Sequence, residues 1–295
     1  MKKPPVFIVG LHRTGSTLFK NILNNHPEIC MMPDELHLWS PYPWIVDLDD
    51  ICPKVKKLKK EKLNEILNIF FSKELSATFW KDIDEYKLDK NKILKNLKNM
   101  KEITCIDIAT AIFENYKENC GKDMWGAKYP VHIAGIKLLE KWYPKCKIIH
   151  LTRDPRAIYI SKSNDEASIY RKKKYPYLAF FYDLLLIMFI GMEYSLSAYI
   201  HQKYKYKNNY MLVRYEDILT YPEETIKDVC EFIGVGYLPE MIYASGKPSS
   251  IDGKIKKGLD KKRAYRWKNV IKPWEKLLID ILTSRARKKL GYGDV

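Results

Sequence analysis

The chain has 295 residues, 46% of them hydrophobic and 13% aromatic, which excludes an intrinsically disordered protein and supplies material for one large α/β domain or two smaller ones. Its 52 Lys and Arg residues against 36 Asp and Glu give a formal charge of +16, which suits an anionic ligand, an acidic polymer or a membrane surface without choosing among them. The six cysteines (Cys30, Cys52, Cys105, Cys120, Cys146 and Cys230) form no C-x-x-C pair and no zinc spacing, and no signal peptide is read, so reduced thiols in a cytoplasmic protein are expected.

The first element is "PPVFIVG", an apolar, β-branched run bounded by Pro and Gly, which reads as a buried strand. It leads into "GLHRTGSTLFKNIL", residues 10–23, where Leu18, Ile22 and Leu23 recur at helical spacing and Ser16 or Thr17 is placed to cap the helix. Strand, glycine-bearing turn and helix N-terminus together make an anion site, because free backbone N–H groups and the helix dipole converge there. A Walker loop would carry a lysine after Gly15, and this one does not. Arg13 supplies the cation instead, and its guanidinium fork suits a terminal or monoester phosphate. A tight turn with an incidental arginine is the plain alternative.

Next comes "HPEICMMPDELHLW", with Asp34, Glu35 and His37 close behind the first helix. Residues 54–102 are rich in Lys, Glu, Leu and Ile and predict two or three amphipathic helices. "DMWGAKYP" reads as a strand end carrying Lys128, and "VHIAGIKLLEKWYP" as a helix. "KCKIIHLTRDP" is a second strand running into a turn, where Asp154 caps a helix begun by Pro155. Arg153 then sits at a strand's carboxyl end with Ser161 two helical turns on, a grip for one further phosphate; a structural Arg–Asp pair with a surface serine is the alternative. "YLAFFYDLLLIMFIGM", residues 177–192, is nearly continuous apolar sequence behind Arg171 and Lys172–Lys174. It is short for a membrane span and is read as a buried or surface-docked helix; no nucleic-acid partner is expected, and peripheral membrane contact through 171–192 or the basic C-terminus is the alternative. "NNYMLVRYEDIL" is a strand, and "YPEETIKDVCEFIGV" a helix with Pro222 near its start. From Lys254 to Lys289, fourteen basic residues face three acidic ones. Strands alternating with helices predict a parallel sheet, whose ligands sit at the carboxyl ends of strands, here after Val9, Leu151 and Val213.

A loop of the form R-[ST]-G-[ST]-T after the first strand, followed later by R-D-P-R-x-x-x-x-S at a strand end, resembles the sulfotransferase family. The likeness extends to "HPEI", to "KYPVH" at 128–132 and to "LVRYEDILTYPEETIKDVCEFIGV" at 212–235, and is nearest to the microbial and tyrosylprotein-type branches. The resemblance implies a P-loop-like three-layer α/β fold with a central parallel sheet flanked by helices. It also implies 3′-phosphoadenosine 5′-phosphosulfate as sulfate donor, with no metal. Arg13, Thr14, Gly15, Ser16 and Thr17 would hold the 5′-phosphosulfate, and Arg153 and Ser161 the 3′-phosphate. Lys128 is the candidate for stabilising charge on the departing phosphate, with Arg13 beside it. Glu35 fits best as general base and Asp34 stays open; His37 is placed as a packing or acceptor-binding residue, and His132 as a structural member of its motif. "GKIKKGLDKKRAYRWKN" is similar to a basic segment that closes over the 3′-phosphate, with Arg263, Arg266 and Lys268 as candidates, although it lacks the second glycine of the cytosolic enzymes' motif. A single domain over 1–295 is expected, with a helical insertion at about 54–120 and a basic segment at about 250–295. The acceptor is a hydroxyl or amine of a carbohydrate, lipid, small metabolite or peptide. A small-molecule kinase and a non-catalytic basic module that docks on membranes or acidic polymers are the competing readings.

Overall fold

Five short apolar segments pair as one parallel sheet: β1 (Val6–Gly10), β2 (Ile29–Met31), β3 (Met124–Lys128), β4 (Lys147–Thr152) and β5 (Tyr210–Arg214), in the spatial order β2-β3-β1-β4-β5. The computed structural model describes residues 3–33, 38, 58–71, 86–243 and 259–293. Every residue of β1 is buried, as a central strand with both faces covered requires. Its neighbours hold it in register on both sides, Val6 against Gly126 of β3 and Lys147 of β4. The connection after β1 runs to β2 on one side of the sheet and the connection after β4 runs to β5 on the other, so the adjacent carboxyl ends of β1 and β4 form the switch point at which a parallel sheet offers a ligand crevice.

Alternation along β1 assigns its side chains to two cores. Val6 and Ile8 pack with α1 (Ser16–Asn24) and α10 (Pro222–Ile233) through Phe19, Ile22, Ile226 and Val229. Phe7 and Val9 face the opposite layer. That layer holds α2 (Leu63–Phe70), α3 (Lys90–Lys98), α4 (Cys105–Asn119) and α5 (Ile136–Trp142), joined through Leu67, Ile93, Phe113 and Leu139. Helices on both faces of a parallel sheet make the expected three-layer α/β architecture. A third core joins α6 (Pro155–Ser163), α8 (Ala179–Tyr204) and α12 (Pro273–Lys289) through Ile158, Ile190, Tyr194 and Ile279.

Four details differ from the sequence reading. The helix after the phosphate loop begins at Ser16 with Gly15 as its N-cap and no side-chain cap, so neither Ser16 nor Thr17 caps it. The apolar stretch at 177–192 is part of a 26-residue helix, because the buried stripe continues through Tyr194, Ala198 and Tyr204 after the continuous apolar run ends. Cys105 is disulfide-bonded rather than a free thiol, while Cys30, Cys120, Cys146 and Cys230 are free as expected. The short strand β2 was not foreseen. It is fixed in part by His26, whose Nδ1 accepts the Glu28 N–H at 3.1 Å. Nε2 therefore carries the proton and donates to the Gly236 carbonyl at 2.8 Å, which makes the "HP" step a structural tie to the end of α10.

Candidate active site

The end of β1 lies against β4 so tightly that a Cβ on Gly10 would strike the Leu151 carbonyl, and only glycine fits there. The chain then turns. Thr14 Oγ1 donates to the Leu11 carbonyl at 2.9 Å, Arg13 takes a left-handed conformation (φ 69°), and Gly15 does the same (φ 86°) with the Tyr215 ring against its α-carbon. With no side chain capping α1, the orphan N–H groups of its first turn and the half-buried Ser16 and Thr17 stand together beyond the end of β1. The Arg13 guanidinium donates to Asp165 Oδ2 at 3.1 Å. Asp165 is the N-cap of α7 (Glu166–Lys174). Burial raises its carboxyl, yet hydrogen bonds from Ser168 and the charge of Arg13 hold it below the usual carboxylate range.

β4 brings the second group of residues. Arg153 donates from Nη1 to the Arg13 carbonyl at 3.0 Å, which ties this strand end to the phosphate loop. Its guanidinium stacks over the Tyr215 ring at 4.5 Å. Arg153 Nε and Ser161 Oγ are both buried polar atoms with no hydrogen-bond partner among the described residues. The structural-pair alternative does not involve Arg153: Asp154 bonds Arg156 instead, at 2.6 Å, while capping α6 through the Arg156 N–H. Arg156 is buried and stacks on Trp267 at 4.1 Å.

The start of α9 (Tyr215–Thr220), at the end of β5, completes this wall. Glu216 Oε1 accepts the Asp154 N–H at 3.0 Å and Oε2 accepts the Tyr292 hydroxyl at 2.6 Å, fastening the ends of β4 and β5 together. Burial pushes the Glu216 carboxyl upward, partly offset by those two donors. From the C-terminal segment, α11 (Lys262–Tyr265) packs Ala264 against Tyr215 and Leu219. Burial raises the Tyr215 hydroxyl, while the charges of Arg153 and Arg263 pull it down, so Arg263 lies within electrostatic range of that hydroxyl. Arg266 and Lys268 are exposed, Lys268 lying over the Tyr265 ring at 5.2 Å, so the structure gathers one of the three basic candidates and leaves two at the surface.

Lys128 ends β3 opposite Ile8, and the Tyr129 N–H donates to the Ile8 carbonyl at 2.8 Å, so the lysine is set beside the β1 end that opens into the loop. His132 is wholly buried with its ring 4.6 Å from that of Tyr129. Asp34, Glu35 and His37 lie outside the described residues. The described chain leads up to them at Pro33, whose carbonyl accepts from Lys20 of α1 at 2.6 Å. Tyr215, Glu216 and Asp165 were missed as site residues. The signal for the first two was an aromatic–acid pair directly after a strand, in a stretch read only for its secondary structure. Asp165 offered no local signal.

A model of the sulfotransferase family matches residues 4–239. The curated omega-hydroxy-beta-dihydromenaquinone-9 sulfotransferase Stf3 of Mycobacterium bovis is 24% identical over 269 residues, which cover 81% of this chain. The match spans 66% of that relative's length, just under two thirds. Among solved structures, the sulfotransferase domain from the curacin biosynthetic pathway superposes with a TM-score of 0.63 at 20% identity, covering 99% of both chains. The sulfotransferase domain of the Synechococcus PCC 7002 olefin synthase gives 0.58 at 18% identity, covering 100% of this chain and 97% of that one. Both share the fold. With a family model matched over most of its length, the chain belongs to the sulfotransferase family.

Proposed function

We propose that the protein transfers the sulfuryl group of 3′-phosphoadenosine 5′-phosphosulfate to a hydroxyl or amine acceptor. The observation that carries this is the pairing of two anion grips at adjacent strand ends, joined by the hydrogen bond from Arg153 to the Arg13 carbonyl. One is a helix N-terminus without a side-chain cap; the other presents Arg153 Nε and Ser161 Oγ, buried and unsatisfied by the described residues. A nucleotide with phosphates on both its 5′ and 3′ positions matches two grips, and buried polar atoms of this kind are costly unless a ligand meets them. The donor supplies an activated sulfuryl group next to a single 5′-phosphate. A polyphosphate-binding lysine is therefore not called for, and its position is held by Ser16.

On this reading, residues 13–17 hold the 5′-phosphosulfate through backbone N–H groups and the Ser16 and Thr17 hydroxyls. Arg153 and Ser161, with Arg263 beside them, hold the 3′-phosphate. Lys128 and Arg13 place positive charge where negative charge grows on the departing phosphate, the kind of preorganised stabilisation that contributes most to such transfers. Glu35 takes the acceptor's proton. The name of the Mycobacterium bovis relative specifies an ω-hydroxyl on a menaquinone. A hydroxyl carried on an apolar molecule is accordingly the acceptor class we place first. The decisive experiment is mass spectrometry of cell extract incubated with enzyme and sulfate donor, read for the gain of one sulfuryl group. Calorimetry with adenosine 3′,5′-bisphosphate and with magnesium–ATP accompanies it. Stronger binding of magnesium–ATP would overturn the proposal in favour of a kinase.

A further inference from the structure

Pro176–Tyr204 is long and apolar enough to cross a membrane by length and composition. One side of this helix nevertheless belongs to the protein: Ile187, Ile190, Tyr194 and Ala198 sit in the core shared with α6 and α12. The buried Asp183 pairs with Lys172 at 2.5 Å, and Glu193 with Lys162 at 2.7 Å. Those ties hold α8 against the domain, so lipid cannot surround it. The other side is uncovered. Phe181, Leu185, Met188 and Met192 succeed one another at steps of four, three and four residues, which is one helical stripe, and each is more than half exposed.

α12 runs alongside in the same direction. Trp274 meets Phe180 at 5.2 Å, Leu282 packs onto Gly191, and the Lys289 carbonyl accepts from Gln202 at 3.5 Å. Leu277 and Ile281 of α12 are likewise more than half exposed. Solvated proteins seldom leave this much apolar surface bare unless something covers it.

The charges around the two helices indicate what that is. All four of their carboxylates are engaged: Asp183 and Glu193 as above, Glu275 by the Tyr159 hydroxyl at 2.9 Å, and Asp280 by Arg156 at 3.3 Å and Arg287 at 3.2 Å. Exposed cations border the stripe at one end, Arg171, Lys173 and Lys174, and at the other, Lys203 and Lys289. A second copy of the chain would bring like charge against like on a molecule already at +16.

We propose that the α8–α12 face docks on an anionic lipid bilayer, lying in its interface with the apolar stripe inserted and the cations on the headgroups. This inference rests on the surface alone and is independent of the donor assignment. It has a consequence for the site. Asp165, which holds Arg13, is the N-cap of the nine-residue α7, and α7 ends in the basic cluster. At 1.5 Å per residue the phosphate loop's arginine is linked to the bilayer edge by a helix about 13 Å long.

The test is co-sedimentation of the purified 295-residue chain with phosphatidylcholine vesicles, with and without about 30% phosphatidylglycerol. Because the exposed cations meet the headgroups, the anionic vesicles should bind at least about tenfold more tightly, and salt should weaken that binding. Leu185→Glu/Met192→Glu changes only exposed positions. It should lower vesicle binding at least about tenfold with unchanged Tm and unchanged binding of adenosine 3′,5′-bisphosphate, because apolar insertion supplies the rest of the affinity. Lys173→Glu/Lys174→Glu should remove the preference for anionic lipid. The proposal fails if the unmodified protein does not sediment with anionic vesicles, or if Leu185→Glu/Met192→Glu binds them as tightly as the unmodified protein. It also fails if sedimentation velocity shows a dimer that this variant dissociates, which would assign the face to a second copy.

Discussion

The guanidinium of Arg153 lies 4.5 Å over the ring of Tyr215, and the same ring occupies the space a side chain on Gly15 would need. One aromatic side chain thus touches both grips and fixes their separation. On the proposed reading, Arg153→Ala weakens adenosine 3′,5′-bisphosphate by about 2–5 kcal/mol, the cost of truncating one partner of a buried charge pair, and leaves 5′-AMP nearly unchanged. Tyr215→Leu should lose about 0.5–2 kcal/mol, the range for a stacked cation, again mostly on the bisphosphate. Calorimetry with the two nucleotides measures both; equal losses on both would assign Arg153 to the fold rather than to the 3′-phosphate.

Gly15→Ala isolates the other contact of that ring. The new methyl meets Tyr215, and the residue must keep φ 86°, a conformation that costs a non-glycine residue about 1–3 kcal/mol. We expect a lower Tm and at least about tenfold weaker binding of both nucleotides, since the displaced ring disturbs loop and arginine together. Thermal unfolding with and without bisphosphate checks it, and ligand-induced stabilisation should shrink with the affinity.

Lys128→Ala separates binding from turnover. A charge aimed at the leaving phosphate acts more strongly as the reaction proceeds, so turnover should fall about 100- to 1,000-fold. Bisphosphate affinity should change much less. An unchanged rate on the identified acceptor returns Lys128 to an ordinary strand-end lysine.

Glu35→Gln keeps size and hydrogen bonding and removes the basic site, so turnover should fall about 100-fold or more with donor binding intact. Asp34→Asn is the paired control with a smaller expected loss. The reverse order moves the base to Asp34, and near-full activity in both variants moves it to a histidine, His37 or His132.

A stability prediction comes from His150, buried between the Tyr210 hydroxyl at 2.6 Å and the Ser197 hydroxyl at 2.9 Å. Burial, with a smaller contribution from His201, drives its pKa down to about 3. An unfolded histidine titrates near 6.5, so below that pH the unfolded chain takes up a proton the native state refuses. The contribution of His150 is therefore complete above about pH 6.5 and declines toward pH 3, by up to about 1.4 kcal/mol per unit. Denaturant unfolding between pH 5 and pH 7 should show this slope, and His150→Gln should flatten it to the part left by His201, which burial also lowers.

Strands β1 and β4 were legible because "VFIVG" and "KIIHLT" are short β-branched runs bounded by Pro, Gly or charged residues. β2 was not, since three residues supported by His26 and by the Met31 N–H bond to Asn24 carry no pattern of their own. The loop residues were legible from glycine spacing and Arg13, but their partner Asp165 lies 152 positions away and only the fold brings it near. Arg263 was separable from Arg266 and Lys268 only through packing: Ala264 turns one side of its short helix inward against Tyr215. The Cys105 disulfide left no trace in spacing, because pairing depends on which loops meet.

The placement of β1 at the centre of the sheet also bears on how the chain is made. Its first partner begins at Met124 and its second at Lys147, so a ribosome must extend the chain by more than a hundred residues before "VFIVG" has both neighbours. At about 5–20 residues per second, that strand waits on the order of ten seconds with its hydrogen-bonding edges open. Nascent chains cut short before Lys147 should bind chaperones and aggregate, whereas those extended past β5 should not, and arrest-length proteolysis of translation intermediates would locate the change.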